Sequence, residues 1–395
     1  MKASFAPHRR TSAFTLVEMM VSVSVLALIM LVLVSMTNQI SQTWRSTTGK
    51  IEQFQGARDG FESMTRKIGQ ATLNTYWDMY YVNISGRQAP RDFLRQSQLR
   101  FVSGPMSKLA PDANRPTHGI FFQAPLGFVE DSQDLGRMEN LLNTWGYFVE
   151  VGDESDSQPA FLAGRVPNRW RSRLMELMQP AESMSVYDLD PKGGTAPLPG
   201  SDSGRRQLEW FSKSLTGASR PVRPVAENII ALVIWPKLSK QDEDLRRASG
   251  KSVLSPNYTY DSSLLSFTSG QVGSPQFPIF LNDGAKLKNK SDLGEASEIN
   301  PKNQLPPIVQ VTMVAVDELS ASRLNDAKGN KATIDLVEGL FTSACAFGSP
   351  LSAQTQYEQD LKELEKRIVA AKLTYRVFST NVSIRGAKWS TSQTK

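Results

Sequence analysis

Histidine and cysteine are almost missing from this chain: His8, His118 and Cys345 are all it holds in 395 residues. One cysteine cannot make an internal disulfide, so a folded region must be held by packing and hydrogen bonds. Within Phe341-Thr-Ser-Ala-Cys-Ala-Phe347, Cys345 reads as a small apolar core residue rather than a nucleophile. A histidine metal centre or a catalytic triad would rest on His118 alone, which is more simply a polar residue at a strand edge. Dinucleotide, phosphate-loop, H-E-x-x-H and nucleophile-elbow motifs are also absent. No enzymatic activity, catalytic residue, cofactor, metal or small-molecule substrate is expected. A strong excess of one charge is missing too. The formal charge is +6, and removing Lys2, Arg9 and Arg10 lowers it to +3, too little for a bulk nucleic-acid binder.

What is present begins at the N-terminus. Lys2, Arg9 and Arg10 lie in a short leader without an acid, and Met19 to Met36 is a run of eighteen residues with no charge, proline or glycine. The one cut-like small residue, Ala13, precedes this run, the reverse of an ordinary secretory signal. Cleavage between Ala13 and Phe14 would therefore leave the anchor on the protein. Eighteen helical residues rise about 27 Å, close to the thickness of a hydrocarbon core. The basic leader stays cytoplasmic by the positive-inside rule, which puts Asn38 onward outside. The expectation is a single-pass membrane protein, N-terminus in.

Glu18 stands near the start of the apolar run, where an unpaired carboxylate is costly. It is either an interfacial residue that snorkels or the partner of a cation. Beyond Met36 the apolar positions thin to Ile40, Trp44, Thr47, Ile51, Phe54, Phe61, Met64 and Ile68, at steps that place them on one helical face. The pattern predicts one helix over 14–73, membrane-spanning over 14–36 and amphipathic over 37–73, about 90 Å long. Gly56 and Gly60 have the small-xxx-small spacing that admits another backbone, or are tolerated glycines near a bend.

From residue 74 to 395 the periodicity is that of a head built on strands. Expected strands are Leu99 to Ser103, Gly119 to Gln123, Trp145 to Val151, Asn168 to Met178 (with a helix as the alternative), Asn228 to Trp235, Pro307 to Glu318 and Thr374 to Arg385. The near-continuous apolar content of Asn228 to Trp235 predicts a central strand buried on both faces. Arg205 to Leu215 and Tyr357 to Lys372 are expected helices. Residues 237–306, rich in Ser, Asn, Asp, Lys and Pro, read as a loop-dominated surface insertion. The acidic groups Asp153-Glu154-Ser-Asp156 and Asp242-Glu243-Asp244 lack a calcium-loop pattern and are expected to be solvated. Arg169-Trp170-Arg171-Ser-Arg173 is weak evidence for nucleic acid, which is not an expected partner.

Ala13-Phe14-Thr15-Leu16-Val17-Glu18 resembles the class III signal of type IV pilins and type II secretion pseudopilins, with Ala13 where the family motif has glycine. The segment Ala57-Arg-Asp-Gly-Phe61-Glu-Ser-Met64-Thr-Arg66-Lys67-Ile68-Gly-Gln70-Ala71 and the Pro307-x-Val309-x-Val311 strand resemble J-type minor pseudopilins. Tyr375-Arg-Val-Phe-Ser-Thr-Asn-Val-Ser-Ile-Arg-Gly-Ala-Lys-Trp389 adds a resemblance to the Verru/Chthon cassette protein C family. These resemblances imply an α+β, pilin-like fold: a long N-terminal helix on a mainly antiparallel sheet, with a large loop insertion. They imply cleavage after Ala13 by prepilin peptidase, methylation of the Phe14 amine, and assembly in which Glu18 neutralises that amine on a neighbour. Implied partners are sibling pilins or pseudopilins and an inner-membrane assembly platform. Two functions are carried forward: a minor subunit of a type IV pilus or type II secretion-like fibre, and a membrane-anchored envelope protein that binds a surface, polymer, cargo or DNA.

Overall fold

The computed structural model describes residues 15–130, 140–153, 161, 165, 170–186, 208–217, 220–248, 253–262, 303–328, 331–344 and 353–388. The architecture is α+β, with a long N-terminal helix and antiparallel sheets. Helix α1 runs Leu16–Ile68 and crosses from one compact unit, residues 1–53, into a second, residues 54–395. It stops at Ile68, where a tight turn takes the chain through Gly69 and Thr72 N–H donates to Gln123 O at 2.9 Å. Arg66 and Lys67 in its last turn complement the negative end of the helix dipole.

In the second unit a six-stranded sheet has the order β7-β6-β5-β4-β3-β9, with β3 Val102–Pro105, β4 His118–Pro125, β5 Leu142–Asp153, β6 Trp170–Gln179, β7 Val222–Glu227 and β9 Tyr260–Asp261. A three-stranded sheet has the order β11-β10-β8, with β8 Ile229–Lys237, β10 Ile308–Val316 and β11 Tyr375–Ser383. All these pairings are antiparallel. A separate ribbon pairs β1 Tyr76–Ile84 with β2 Arg87–Gln96 through the Ser85-Gly86 turn, where both residues have positive φ.

The three-stranded sheet is buried on both faces at β8 and β10, whereas its edge strand β11 is partly exposed. Toward the main core the sheet presents Leu232, Ile234, Val309, Val311 and Met313, which join Ala57, Phe61, Met64 and Ile68 of α1. Toward a second core it presents Ala231, Val233, Trp235, Val314 and Val316, covered by Phe341, Tyr357, Leu364 and Ile368. Met64 and Ile68 are fully buried, and each such side chain contributes about 1.5–3 kcal/mol relative to exposure. The covering helix, α5 (Ala353–Ala370), follows the shorter α2 (Lys240–Ala248), α3 (Glu318–Lys328) and α4 (Lys331–Val337).

Three expectations are corrected. β8 is buried on both faces, but it is the edge of its sheet, and β10 is the centre. Apolar content reports burial of the two faces and says nothing of the neighbours along the hydrogen-bonding direction. Leu99 to Ser103 is strand only from Val102, because Arg100 N–H donates to Gln123 Oε1 and Phe101 N–H to Ser262 Oγ. Region 237–306 is not all surface: α2 lies within it, Leu254, Tyr258 and Tyr260 are buried, and β9 pairs with β3. Its residues 263–302 lie outside the described ones. The flanking Ser262 and Asn303 meet directly, Asn303 N–H donating to Ser262 O at 2.7 Å.

Candidate functional site

The first candidate is the start of α1. Thr15 is the residue before the helix and Glu18 lies in its first turn, so Thr15-x-x-Glu18 forms a capping box. Thr15 N–H and Oγ1–H both donate to Glu18 Oε2 at 3.0 Å, and Glu18 N–H donates back to Thr15 Oγ1 at 3.3 Å. Glu18 thus has a local role, satisfying an orphan N–H of the first turn, that the apolar pattern alone does not disclose. Ala13 and Phe14 lie outside the described residues.

From Leu16 to Trp44 the helix is long and apolar enough to cross a membrane, and none of its apolar window is buried among the described residues. Leu16, Met20, Leu28, Leu31 and Trp44 are each more than half exposed. Exposed apolar surface on this scale is not kept in water and marks a segment made for lipid or for other helices. The stripe forecast from Ile40 to Ile68 divides accordingly. Ile40 and Trp44 are exposed, Phe54 is partly buried, and Phe61, Met64 and Ile68 lie in the main core.

Gly60 separates the two readings of its spacing with Gly56. A Cβ at Gly60 would stand 3.2 Å from Val225 Cγ1 and Ala226 Cβ, so glycine admits the chain's own β7. Around Gly56 there is open space. The close backbone approach is therefore internal to the head at Gly60.

The second candidate, missed from sequence, is a buried charge cluster at the end of α1. Glu176 on β6 is 1% exposed and accepts hydrogen bonds from Lys67 Nζ (2.7 Å), Tyr147 OH (2.5 Å) and Arg223 Nη2 (2.6 Å). Lys67 Nζ also lies 3.7 Å from the Trp145 ring centroid. Burial pushes the Glu176 carboxyl up, but these donors outweigh it and hold the group below its ordinary value. A buried carboxylate satisfied by an ammonium, a guanidinium and a phenol is a structural anchor, and it fixes the last turn of α1 to the sheet. A second cluster joins Glu150 to Arg115 and Arg220, at 3.0 and 2.5 Å.

The other sequence candidates have structural roles where they are described. His118 is fully buried and uses both ring nitrogens on backbone groups. Ser239 caps α2, Asp242 N–H donating to Ser239 Oγ at 3.2 Å while Ser239 Oγ–H donates to Asp242 Oδ2 at 2.6 Å, and Glu243 is buried, accepting from Leu238 N–H. That acidic group is a helix start, not a solvated loop. Arg171 bonds to Glu227 and Glu318 at 3.0 and 2.8 Å and is mostly covered, so its surface is not offered to a polyanion. Asp153 ends β5, whereas Glu154, Asp156, Arg169 and Cys345 lie outside the described residues.

Residues 8–34 match the family model described as the prokaryotic N-terminal methylation motif. No curated protein and no solved structure matches the chain. The chain carries a prepilin-type signal, which implies processing by prepilin peptidase and anchoring by the apolar helix.

Proposed function

We propose that this protein is a minor pilin or pseudopilin, a structural subunit of a type IV pilus or type II secretion-like fibre, and not an enzyme. The observation that carries this reading is the methylation motif over residues 8–34 joined to an apolar helix long enough to cross a membrane. Prepilin peptidase cuts between Ala13 and Phe14, and the new amine is methylated. The helix sits in the inner membrane with the leader in the cytoplasm and the head outside, until an assembly platform moves it into a fibre beside sibling subunits. There Glu18 neutralises the Phe14 amine of a neighbour, the acid and the amine being about one helical turn apart along the chain.

The size and elaboration of the head support a minor subunit, since a repeating shaft subunit benefits from a compact one. Likeness to the J-type pseudopilins and to the Verru/Chthon cassette protein C family belongs to the same reading. Fibres sheared from producing cells and probed with an antibody to the head are expected to carry the chain in few copies. Recovery of the whole population in the membrane fraction would reduce the helix to an anchor and favour the envelope-binding alternative.

A further inference from the structure

The six- and three-stranded sheets have four edges, and three of them are closed to an added strand. β7 carries Pro224, which has no N–H, and its pairing with β6 shifts at Leu174/Met175. β9 is two residues long. β8 is covered from the start of β4: Leu232 N–H donates to Thr117 Oγ1 at 3.2 Å, and Ile234 N and O lie 3.0 and 3.2 Å from His118 Nδ1. β11 has none of these devices. It is nine residues long, without proline, and its register against β10 is unbroken.

The bonds at the two ends of β11 fix which of its backbone groups face outward. Asp317 N–H donates to Thr374 O at 3.0 Å, and Ile384 N–H donates to Pro307 O at 3.1 Å. Thr374 and Ile384 therefore face β10, and by the alternation of an antiparallel ladder so do the even-numbered residues between them. Tyr375, Val377, Ser379, Asn381 and Ser383 turn their N–H and C=O groups away from it. Among the described residues nothing bonds to these outward groups, whereas Arg385 N–H, next in the series, is closed onto Gly69 O at 3.3 Å. The faces of the strand are supported, Phe378 and Val382 packing on the main core and Tyr375 and Val377 on the second. What is open is the hydrogen-bonding edge.

We propose that the outer edge of β11 is the docking site for an extended acidic segment of another protein, added as a further strand of the three-stranded sheet. Charge selects the segment. Residues 371–395 hold Lys372, Arg376, Arg385, Lys388 and Lys395 and no acid. The first four are exposed and make no ion pair among the described residues, Arg376 lying 5.5 Å from the Phe378 ring centroid. Backbone hydrogen bonds to an added strand carry no charge preference, so these cations decide between acidic and basic segments. A second copy presenting the same edge would bring like charges together. This inference concerns the head alone and stands whether or not the N-terminal reading holds.

The test uses the full chain in zwitterionic detergent micelles and two short labelled peptides, one alternating valine with glutamate and one alternating valine with lysine. Fluorescence anisotropy gives the affinities, and hydrogen exchange followed by mass spectrometry gives the place. The glutamate peptide is expected to bind about 10-fold more tightly than the lysine peptide, from several exposed ion pairs acting together. It should slow exchange over β11 and leave β8 unchanged. Asn381→Pro removes one outward N–H and no bond to β10, and should weaken the glutamate peptide about 10-fold. Arg376→Glu combined with Arg385→Glu leaves the backbone edge intact and should reverse the preference between the peptides. Binding of neither peptide, equal affinity for both, protection away from β11, or pairing of β11 with a second copy in place of the peptide would each overturn the proposal.

Discussion

Glu176→Ala is expected to destabilise the head by about 3–5 kcal/mol, the usual cost of leaving a buried charge without its partner. The substitution strips the acceptor from Lys67, Tyr147 and Arg223 at once. Lys67 cannot recover by turning to water, because its side chain is only 16% exposed. A domain of this kind is stable by about 5–15 kcal/mol in all, so the loss is a large share of the total. Urea unfolding of the detergent-solubilised chain should show it as a lower midpoint, and a change below about 1 kcal/mol would contradict the anchor. Glu176→Gln keeps the shape and some of the hydrogen bonds and should fall between. The sign with pH follows from the lowered carboxyl: this contribution is present above the ordinary carboxylate value near 4.5 and is lost as pH falls below it.

Glu18→Ala is expected to leave cleavage intact and to cut incorporation into fibres by an order of magnitude or more. The carboxylate has two oxygens, and Oε2 is engaged by both Thr15 donors. The other oxygen has no hydrogen bond among the described residues. Losing a capping residue costs a helix only about 1 kcal/mol, which a long, membrane-supported helix tolerates. Stability therefore predicts a small effect and assembly a large one. Counting head antigen in sheared fibres against the membrane pool separates the two, and normal incorporation of Glu18→Ala would remove the assembly role of this residue.

How much of this was legible from sequence depended on whether the signal was local. The strands β4, β5, β6, β10 and β11 stand where the sequence reading placed strands, and β10 divides Val309, Val311 and Met313 from Val314 between its two cores as its alternation implied. Asn168 to Met178 is a strand where described, and not a helix, since Trp170–Gln179 pairs with β5 and β7 along its length. The ribbon β1–β2 was missed. Its arginines, aromatics and Pro90 give no clean period of two, and a register shift at Tyr80/Tyr81 breaks the pattern further.

The charge clusters could not be read at all. Lys67 and Glu176 are 109 residues apart, and only the fold brings them together. Arg171 pairs with Glu227 and Glu318, which come from different elements far along the chain. His118 was legible as a structural residue, but its hydrogen bond with Ile234 of β8 depends on β8 being an edge. That fact follows from topology and leaves no trace in composition.

The decisive property is where the mature chain begins. Mass spectrometry of the protein isolated from membranes or fibres decides it. The account predicts a chain that starts at methylated Phe14, with Ala13 and everything before it removed. A chain that still begins at Met1, or one cut after Met36 so that the apolar helix is lost, would contradict it.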